Sequence, residues 1–258
     1  MDDKYSINNN FGLDEDGFMK IPELITELPF LENKDKEPTP WYKDMLGNYV
    51  LTYSFGHYKM QNVQWESGPF VWNELNWLLL DIDNSKGQVL LLAENCVAQD
   101  FFYGEGSLSI DDGKSAWEKS EVRAFLNGKF FEEAFDEETK KLIIPRNKYK
   151  DKIFILNKKE IEEKFKYEDL REGKIYYADD ISGRTEVWLE PTSWWIDTEG
   201  EEDDHMCVMT ADGRIDTYGR EIDADETGIR PAMWVDLVEL IKYEKCKNGT
   251  VFAKLIEK

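Results

Sequence analysis

Residues 77–93 read WLLLDIDNSKGQVLLLA and decide the fold class of this chain. Trp77–Ile82 is an apolar run that ends in the turn sequence Asp83–Gly87, and Val89–Ala93 resumes the apolar run. Two apolar segments across a short loop of Asp, Asn and Gly predict a β-hairpin. The segment Tyr49–Phe55 before it is β-branched and aromatic, so we expect a strand there as well.

The middle of the chain shows helical signals instead. Residues 115–118, Ser-Ala-Trp-Glu, have the Ser-x-x-Glu spacing of a capping box. Val122, Phe125 and Leu126 follow at the i, i+3, i+4 spacing of one buried helical stripe. We expect this helix to end at Asn127-Gly128, because Gly adopts the left-handed conformation of a helix C-cap.

Short elements complete the predicted architecture. Two brief helices are expected at residues 130–135 and 136–143, the second capped by Asp136, and a strand is expected at residues 151–156. Asn157–Glu160 repeats the capping-box spacing before another brief helix. Beyond residue 175 the pattern predicts strands and loops. Helices grouped between an early hairpin and late strands indicate an α+β fold and not alternating βαβ units.

The domain organisation follows from length and composition. A chain of 258 residues can bury a large core without disulfides. We expect an N-terminal extension at residues 1–46 and one main domain at residues 47–258. The charged, Pro-containing segment Glu32–Pro40 is typical of a linker, and residues 250–256 alternate like a last strand. One hypothesis is that the extension docks the protein into a larger assembly.

The charge of the chain is strongly acidic and uneven. The net charge is −22, and residues 181–240 hold 16 acids against 4 bases. This charge favours solubility and argues against nucleic acid or an anionic membrane as the partner. The acidic stretch indicates a solvated face, a cation site or a docking surface for a basic partner, and the sequence leaves these alternatives open.

Cysteine use and the N-terminus bear on the compartment. Cys96, Cys207 and Cys246 are odd in number and far apart, which suits a reducing compartment. Met1–Tyr5 has no cationic start followed by an apolar stretch, so we expect no signal peptide. The longest apolar runs, such as Trp77–Leu80, span only a few residues and predict no membrane segment. We therefore expect a cytoplasmic protein.

Several short motifs carry a family resemblance. They are Phe55-Gly56-x-Tyr58, Trp77-Leu78-Leu79-Leu80-Asp81, Val89–Leu92, Trp117-Glu118-x-Ser120-x-Val122-Arg123-x-Phe125-Leu126-Asn127, Phe131-x-x-Ala134-Phe135, Asp151–Leu156 and Gly228–Trp234. In this order and spacing, over roughly residues 50–236, the chain resembles a bacterial domain of unknown function, DUF6273. The resemblance implies a fold distantly related to C-type lectins, with mixed and antiparallel sheets and a few short helices.

The resemblance also implies structural roles for Trp117, Arg123, Arg230 and Trp234, which fit the family's pattern. In so acidic a chain we expect each of the two arginines to pair with a carboxylate and to hold the helix and the closing strand together. One departure lies at Trp194–Thr198, which reads WWIDT. The family usually places Leu-Arg-Ser after the two aromatics, so no role of that Arg transfers to this chain.

Catalytic motifs are scarce in this sequence. His57 and His205 are its two histidines, and no Gly-x-Ser-x-Gly elbow accompanies them. Neither a phosphate-binding glycine loop nor the paired Cys/His spacing of a zinc site occurs. The leading hypothesis is therefore a non-catalytic module that binds a protein, a small molecule or a carbohydrate through late loops, between about residues 184 and 227. A carbohydrate-active or cation-assisted enzyme stays open as the alternative.

Candidate site residues cluster in the same late loops. If Trp194 and Trp195 are extended they point to opposite faces, so we expect one in the core and the other facing a second layer, a loop or a ligand. No cofactor is expected, but Glu199–Asp204 offers several carboxylates to calcium, which takes six to eight oxygen ligands. The predicted ligand-binding residues are Trp194, Trp195, Asp197, His205 and Arg214, and the predicted calcium ligands are Glu201, Asp203 and Asp204.

Overall fold

A computed structural model describes residues 41–43, 49–60, 71–83, 85–100, 102–103, 114–146, 150–165, 168–181, 184–236 and 239. The predicted linker at Glu32–Pro40 and the predicted last strand at residues 250–256 lie outside these residues, as does most of the predicted extension.

The strands in the described part of the chain are mostly short. They are β1 (Trp41–Lys43), β2 (Tyr49–Met60), β3 (Val71–Asp83), β4 (Gln88–Ala93), β5 (Ala98–Gln99), β6 (Ile143–Ile144), β7 (Ile153–Phe154), β8 (Gly173–Ile181), β9 (Arg184–Thr192), β10 (Trp194–Glu199), β11 (His205–Met209), β12 (Ile215–Glu221), β13 (Gly228–Ile229) and β14 (Ala232–Asp236).

These strands form three sheets. The first has the order β1-β2-β3-β4-β14-β6, with β7 also pairing with β14. The second has the order β12-β11-β10-β13-β5, and the third is the two-stranded ribbon β8-β9. Pairing is antiparallel except between β10 and β13, which run parallel. The predicted hairpin of β3 and β4 is confirmed, with Trp77 opposite Ala93 and Asp83 opposite Gln88.

Along the chain, the short helices come between the early strands and the late strands. They are α1 (Ala116–Lys119), α2 (Glu121–Phe125), a π-helical segment (Leu126–Phe130), α3 (Phe131–Ala134), α4 (Thr139–Leu142), α5 (Lys158–Lys164) and a 3₁₀ turn (Glu168–Arg171). Both predicted capping boxes are confirmed, at Ser115 with Glu118 and at Asn157 with Glu160. The structure is thus a mixture of mostly antiparallel sheets and a few short helices, in agreement with an α+β fold.

The predicted helix end at Asn127-Gly128 is wrong. The chain continues through the π-helical segment into α3. The cause is the Asn127 side chain, whose Nδ2 donates to the Ile153 carbonyl at 2.8 Å while its Oδ1 accepts from the Lys152 amide at 2.8 Å. Asn127 therefore completes the backbone hydrogen bonding at β7, and the wider π turn provides the position for it.

The core joins the two large sheets. Leu90, Leu91 and Leu92 of β4 and Trp194 and Trp195 of β10 belong to one buried cluster. Close packing of such side chains sets the position of β10 relative to β4, and hence of the loops that follow β10. Among the residues that the structure describes, no helix is long and apolar enough to span a membrane.

Candidate functional site

A groove of about 500 Å³ lies where β11 begins and β12 ends. This is the end of the β11–β12 hairpin opposite its turn, in which the Gly213 amide donates to the Thr210 carbonyl. Seven residues line the groove: Tyr103, Asp203, Asp204, His205, Glu221, Ile222 and Asp223. All but Tyr103 come from the late loops that the sequence indicated as a recognition face.

Backbone hydrogen bonds hold the walls of the groove together. His205 lies opposite Glu221 in the antiparallel pair of β11 and β12. The Ile222 amide donates to the Asp204 carbonyl at 3.0 Å, and the Tyr103 amide donates to the Ile222 carbonyl at 2.9 Å. Asp204 has a left-handed backbone, with φ of 58°, which Asp tolerates better than most residues. The loop carboxylates are therefore carried on a fixed backbone.

An irregularity in the hairpin register brings the two walls together. The pairing shifts between Met206 and Val208, where β12 carries two extra residues. Gly219 lies at this bulge with φ of +88°, and a Cβ there would lie 2.5 Å from the Met206 carbonyl oxygen. A residue with a side chain does not fit this close approach, so Gly219 is needed for the observed register.

The groove is acidic and contains two aromatic rings. Four of its seven lining residues are Asp or Glu, and none is Lys or Arg. The His205 Nδ1 lies 3.0 Å from the Asp203 carbonyl, and its ring contacts Tyr218 edge-on at a centroid distance of 5.6 Å. Tyr218 is 54% exposed beside the groove. Such a surface combines negative potential with an exposed tyrosine ring whose face can bind a cation, a combination that favours organic cations.

The structure brings some predicted site residues together and separates others. Asp203, Asp204 and His205 share the groove. Arg214 lies at the opposite end of the hairpin, where its Nη2 is 2.7 Å from Asp212 Oδ2. Glu201 is not among the lining residues and accepts a 2.7 Å hydrogen bond from the Thr217 hydroxyl. In the described part of the chain, no group of three or more His, Cys, Asp or Glu residues is placed to hold a metal ion.

Trp194 and Trp195 need a correction, because both indoles are completely buried. Trp194 Nε1 donates to the Arg171 carbonyl at 2.9 Å, and Trp195 Nε1 donates to the Asp100 carbonyl at 2.8 Å. The two rings do face different surroundings, and Trp195 contacts Phe102 edge-on at 5.7 Å. Both surroundings are protein core, so neither indole contributes to a ligand-binding surface.

Asp197 lies in a different cluster from the groove. Its amide donates to the Leu156 carbonyl at 3.0 Å, which places it beside the start of α5. There Arg146 Nη2 pairs with Glu160 Oε1 at 2.7 Å, and the Arg146 guanidinium lies 3.9 Å from the centre of the Phe154 ring. Burial raises the pKa of the Asp197 carboxyl to about 6, although the nearby Arg146 charge acts in the opposite direction.

The two family arginines have different partners. Arg123 pairs with the buried Asp151, its Nη2 lying 2.8 Å from Oδ1, and Trp117 Nε1 donates to the same carboxylate at 3.0 Å. The predicted carboxylate pair of Arg123 is therefore confirmed, but it joins α2 to the loop before β7 and not to the closing strand. Trp234 lies in β14 opposite Leu90 and packs against the core.

The expectation of a carboxylate partner for Arg230 is wrong. Its side chain is buried, with 1% exposed, and its guanidinium donates to backbone carbonyls. Nε bonds to Ala93 at 2.9 Å, and Nη2 bonds to Glu94 at 3.1 Å. The carbonyls of Leu170, Arg171 and Glu172 accept from Nη1 at 3.0–3.3 Å. Burial lowers the pKa of Arg230 to about 10, although the nearby Cys96 and Glu94 act in the opposite direction.

Sequence reasoning missed four lining residues of the groove: Tyr103, Glu221, Ile222 and Asp223. The sequence contains a signal for three of them. A hairpin that turns at residues 212–213 pairs residues near 221 with residues near 205, so Glu221, Ile222 and Asp223 are expected beside His205. Tyr103 had none, because its contact with Ile222 joins segments that are far apart in the sequence.

Comparison with known proteins adds one finding. A family model described as a domain of unknown function (DUF6273) matches residues 86–237. No curated protein and no solved structure matches the chain.

Proposed function

This chain belongs to the DUF6273 family, and we propose that it is a non-catalytic binding module that recognises its ligand through its late loops. The observation that carries the proposal is the groove at the open end of the β11–β12 hairpin, with four acidic residues and no basic one in its lining. Backbone hydrogen bonds from Ile222 to Asp204, and from Tyr103 to Ile222, fix those loops. Ligand sites are usually concave and largely preformed, and a cleft lined by one sign of charge attracts ligands of the opposite sign.

The ligand class that fits this groove is an organic cation, such as a polyamine or the ammonium or guanidinium group of a protein partner. The carboxylates of Asp203, Asp204, Glu221 and Asp223 lie along both walls. Spread charges of this kind match an extended cation better than a single ion. Tyr103 adds an aromatic ring, on whose face cations bind favourably when water is displaced.

Two alternatives from the sequence stay as proposals of lower rank. Calcium binding at Glu201, Asp203 and Asp204 requires the three carboxylates to come together around the ion, because calcium takes six to eight oxygen ligands. Carbohydrate-active or cation-assisted catalysis needs a carboxyl of shifted pKa in the groove. Asp197 has a raised pKa but does not belong to the groove lining.

Broader proposals accompany the binding role. We propose a bacterial, cytoplasmic protein whose fold is distantly related to C-type lectins, since loops on such a scaffold commonly bind ligands. We also propose a main domain from residue 47 and an extension at residues 1–46 that docks into a larger assembly. The pairing of β1 with β2, Trp41 opposite Leu51, shows that three residues of this extension join the first sheet.

Spermidine, a flexible trication, tests the binding proposal by isothermal titration calorimetry at fixed ionic strength. The triple variant Asp203→Asn, Glu221→Gln, Asp223→Asn removes three groove charges. A matched variant, Asp212→Asn, Glu162→Gln, Glu163→Gln, removes three charges elsewhere. We expect the groove variant to bind spermidine at least tenfold more weakly and the matched variant to stay within twofold of the wild type.

Equal weakening in both variants would show that net charge alone attracts spermidine, and the groove proposal would then be wrong. The same titration with calcium chloride tests the calcium alternative. Saturable 1:1 calcium binding that is lost in the groove variant, without spermidine binding, would replace the organic-cation proposal.

A further inference from the structure

The β8–β9 ribbon carries a second candidate surface. β8 and β9 pair over nine positions, from Gly173 opposite Thr192 to Ile181 opposite Arg184. Within the described residues, no third strand pairs with this ribbon. The edge of β9 that faces away from β8 therefore presents backbone N–H and C=O groups that an added strand can bind.

Three consecutive apolar residues of β9 are exposed. The exposed fraction is 47% for Val187, 38% for Trp188 and 41% for Leu189. Successive side chains of a strand point to opposite faces, so Trp188 lies on one face of the ribbon and Val187 and Leu189 lie on the other. Both faces of the ribbon are therefore apolar at residues 187–189 of β9.

Such an edge is a hazard for a free protein. Natural proteins protect long exposed edges with charges, prolines, bulges or a covering segment, because an apolar edge pairs with other chains. In β9 Glu186 precedes the apolar run and Glu190 and Pro191 follow it, so none of these residues interrupts it. An exposed apolar run on an open edge is typical of a surface that a partner covers.

The surroundings of Trp188 indicate the charge of that partner. Its ring stacks on Tyr177, with centroids 6.1 Å apart and planes at 17°, and its Nε1 donates to Glu190 Oε1 at 2.8 Å. The Tyr177 hydroxyl donates to Gln99 Oε1 at 3.1 Å. Burial raises the pKa of Tyr177 and the hydrogen bond to Gln99 lowers it, while the nearby carboxylates of Glu190 and Glu226 raise it. Negative potential therefore surrounds the stacked pair and favours a cation.

We propose that β9 accepts an extended segment of a partner protein as a third strand, with a lysine or arginine over Trp188 and apolar residues against Val187 and Leu189. Main-chain hydrogen bonds then supply affinity, and the alternating side chains supply selectivity. The basic residue of the partner gains a cation–π contact and the Glu190 carboxylate. This surface is separate from the groove lining, so the inference does not depend on the proposed cation site.

A second copy of the chain fits the same edge less well. Each copy carries a net charge of −22, and each presents the acidic surroundings of its own Trp188. Two such surfaces repel each other, whereas a basic segment is attracted.

The probe is the peptide acetyl-Thr-Thr-Val-Arg-Val-Thr-Thr-amide, titrated into the full chain and followed by calorimetry. We expect binding to weaken at least tenfold when the peptide Arg becomes Glu, and to be lost when its backbone amides are N-methylated. Trp188→Ala should weaken binding at least tenfold. Tyr218→Ala removes an aromatic outside the ribbon that is more exposed than Trp188, 54% against 38%, and should leave binding within twofold.

Hydrogen exchange provides the direct readout of strand addition. We expect the peptide to slow amide exchange at residues 184–192 in the wild type and not in Trp188→Ala. Absence of peptide binding, equal binding of the Glu peptide or unchanged exchange in β9 would overturn the proposal. Dimerisation of the wild type that Trp188→Ala abolishes would assign this edge to a second copy instead. The groove triple variant should bind the peptide like the wild type, so the two proposals can fail separately.

Discussion

Arg230 and the acidic groove show two ways in which this fold carries charge. Arg230 is fully buried, and backbone carbonyls from residues 93–94 and 170–172 accept all of its observed hydrogen bonds. The carboxylates of Asp203, Glu221 and Asp223 lie on exposed residues around an open groove. The Arg230 guanidinium joins segments of the core, whereas the groove carboxylates are available to a ligand.

This difference in burial distinguishes residues that stabilise the fold from residues that can bind a ligand. A residue whose donors are all used by the backbone cannot change without leaving several buried carbonyls unpaired. Groove carboxylates have water as an alternative partner, so their replacement costs the fold little. Substitutions should therefore change stability at the first place and binding at the second.

The largest effect is expected for Arg230→Met. The variant removes the guanidinium donor from five carbonyls, of which the Arg171 carbonyl keeps its bond from Trp194 Nε1. It also removes the 5.3 Å contact of the guanidinium with the Trp194 ring. We expect the free energy of unfolding to fall by roughly 3–5 kcal/mol, measured by urea denaturation. Arg214→Met, at an exposed arginine, is the control and should not move the midpoint. An unchanged midpoint in Arg230→Met would show that the carbonyl contacts are not stabilising.

Asp151→Ala is expected to have the next largest effect. The Asp151 carboxylate is buried and accepts from Trp117 Nε1 and Arg123 Nε. Its removal leaves a buried indole N–H and a half-buried guanidinium without their acceptor, so we expect a loss of roughly 2–4 kcal/mol in urea denaturation. The double variant with Arg123→Met should lose less than the sum of the single variants. Additive losses would contradict a coupled cluster.

These two clusters also show how far the sequence predicts the structure. Capping boxes at Ser115 and Asn157 and the hairpin at residues 77–93 depend on neighbours in sequence, and all three were predicted. The acidic partner of Arg123 followed from charge. The carbonyl cage of Arg230 did not, because it forms only after segments around residues 93 and 171 meet. No local pattern contains that information.

The candidate site divides in the same way. Asp203, Asp204 and His205 were found because an acidic loop is visible in the sequence. The prediction that Trp194 or Trp195 binds a ligand was wrong, because strand alternation gives the direction of each side chain but does not show which layer of the protein covers it. Both faces of β10 are covered by protein, since Trp194 bonds to Arg171 and Trp195 to Asp100.

A smaller, pH-dependent effect is expected for Asp197→Asn. The pKa of this carboxyl is about 6 in the folded protein against an ordinary value of 3.8. The folded state therefore binds the proton more tightly, and Asp197 lowers stability as pH rises through 3.8 to about 6. Above that window the penalty is complete, roughly 1–2 kcal/mol after allowing for solvent contact. Asp197→Asn should match the wild type at pH 4 and exceed its stability at pH 7.5.

Glu160→Gln serves as the control for Asp197. It weakens the Arg146 pair and the α5 capping box, so it should lower stability at pH 4, and by less at pH 7.5, because it also removes one of the charges that raise the pKa of Asp197. If the difference between Asp197→Asn and the wild type were the same at pH 4 and pH 7.5, the raised pKa of Asp197 would be wrong.

The smallest effect on stability is expected for the groove triple variant, Asp203→Asn, Glu221→Gln, Asp223→Asn. These residues are exposed, and the backbone bonds that hold the loops, such as Ile222 to Asp204, do not use their side chains. Removing three like charges from a chain of net charge −22 reduces repulsion, so the urea midpoint should stay constant or rise slightly. A marked fall would place the carboxylates in the scaffold and remove the contrast with Arg230. A constant midpoint with lost spermidine binding is the combination that only a recognition surface produces.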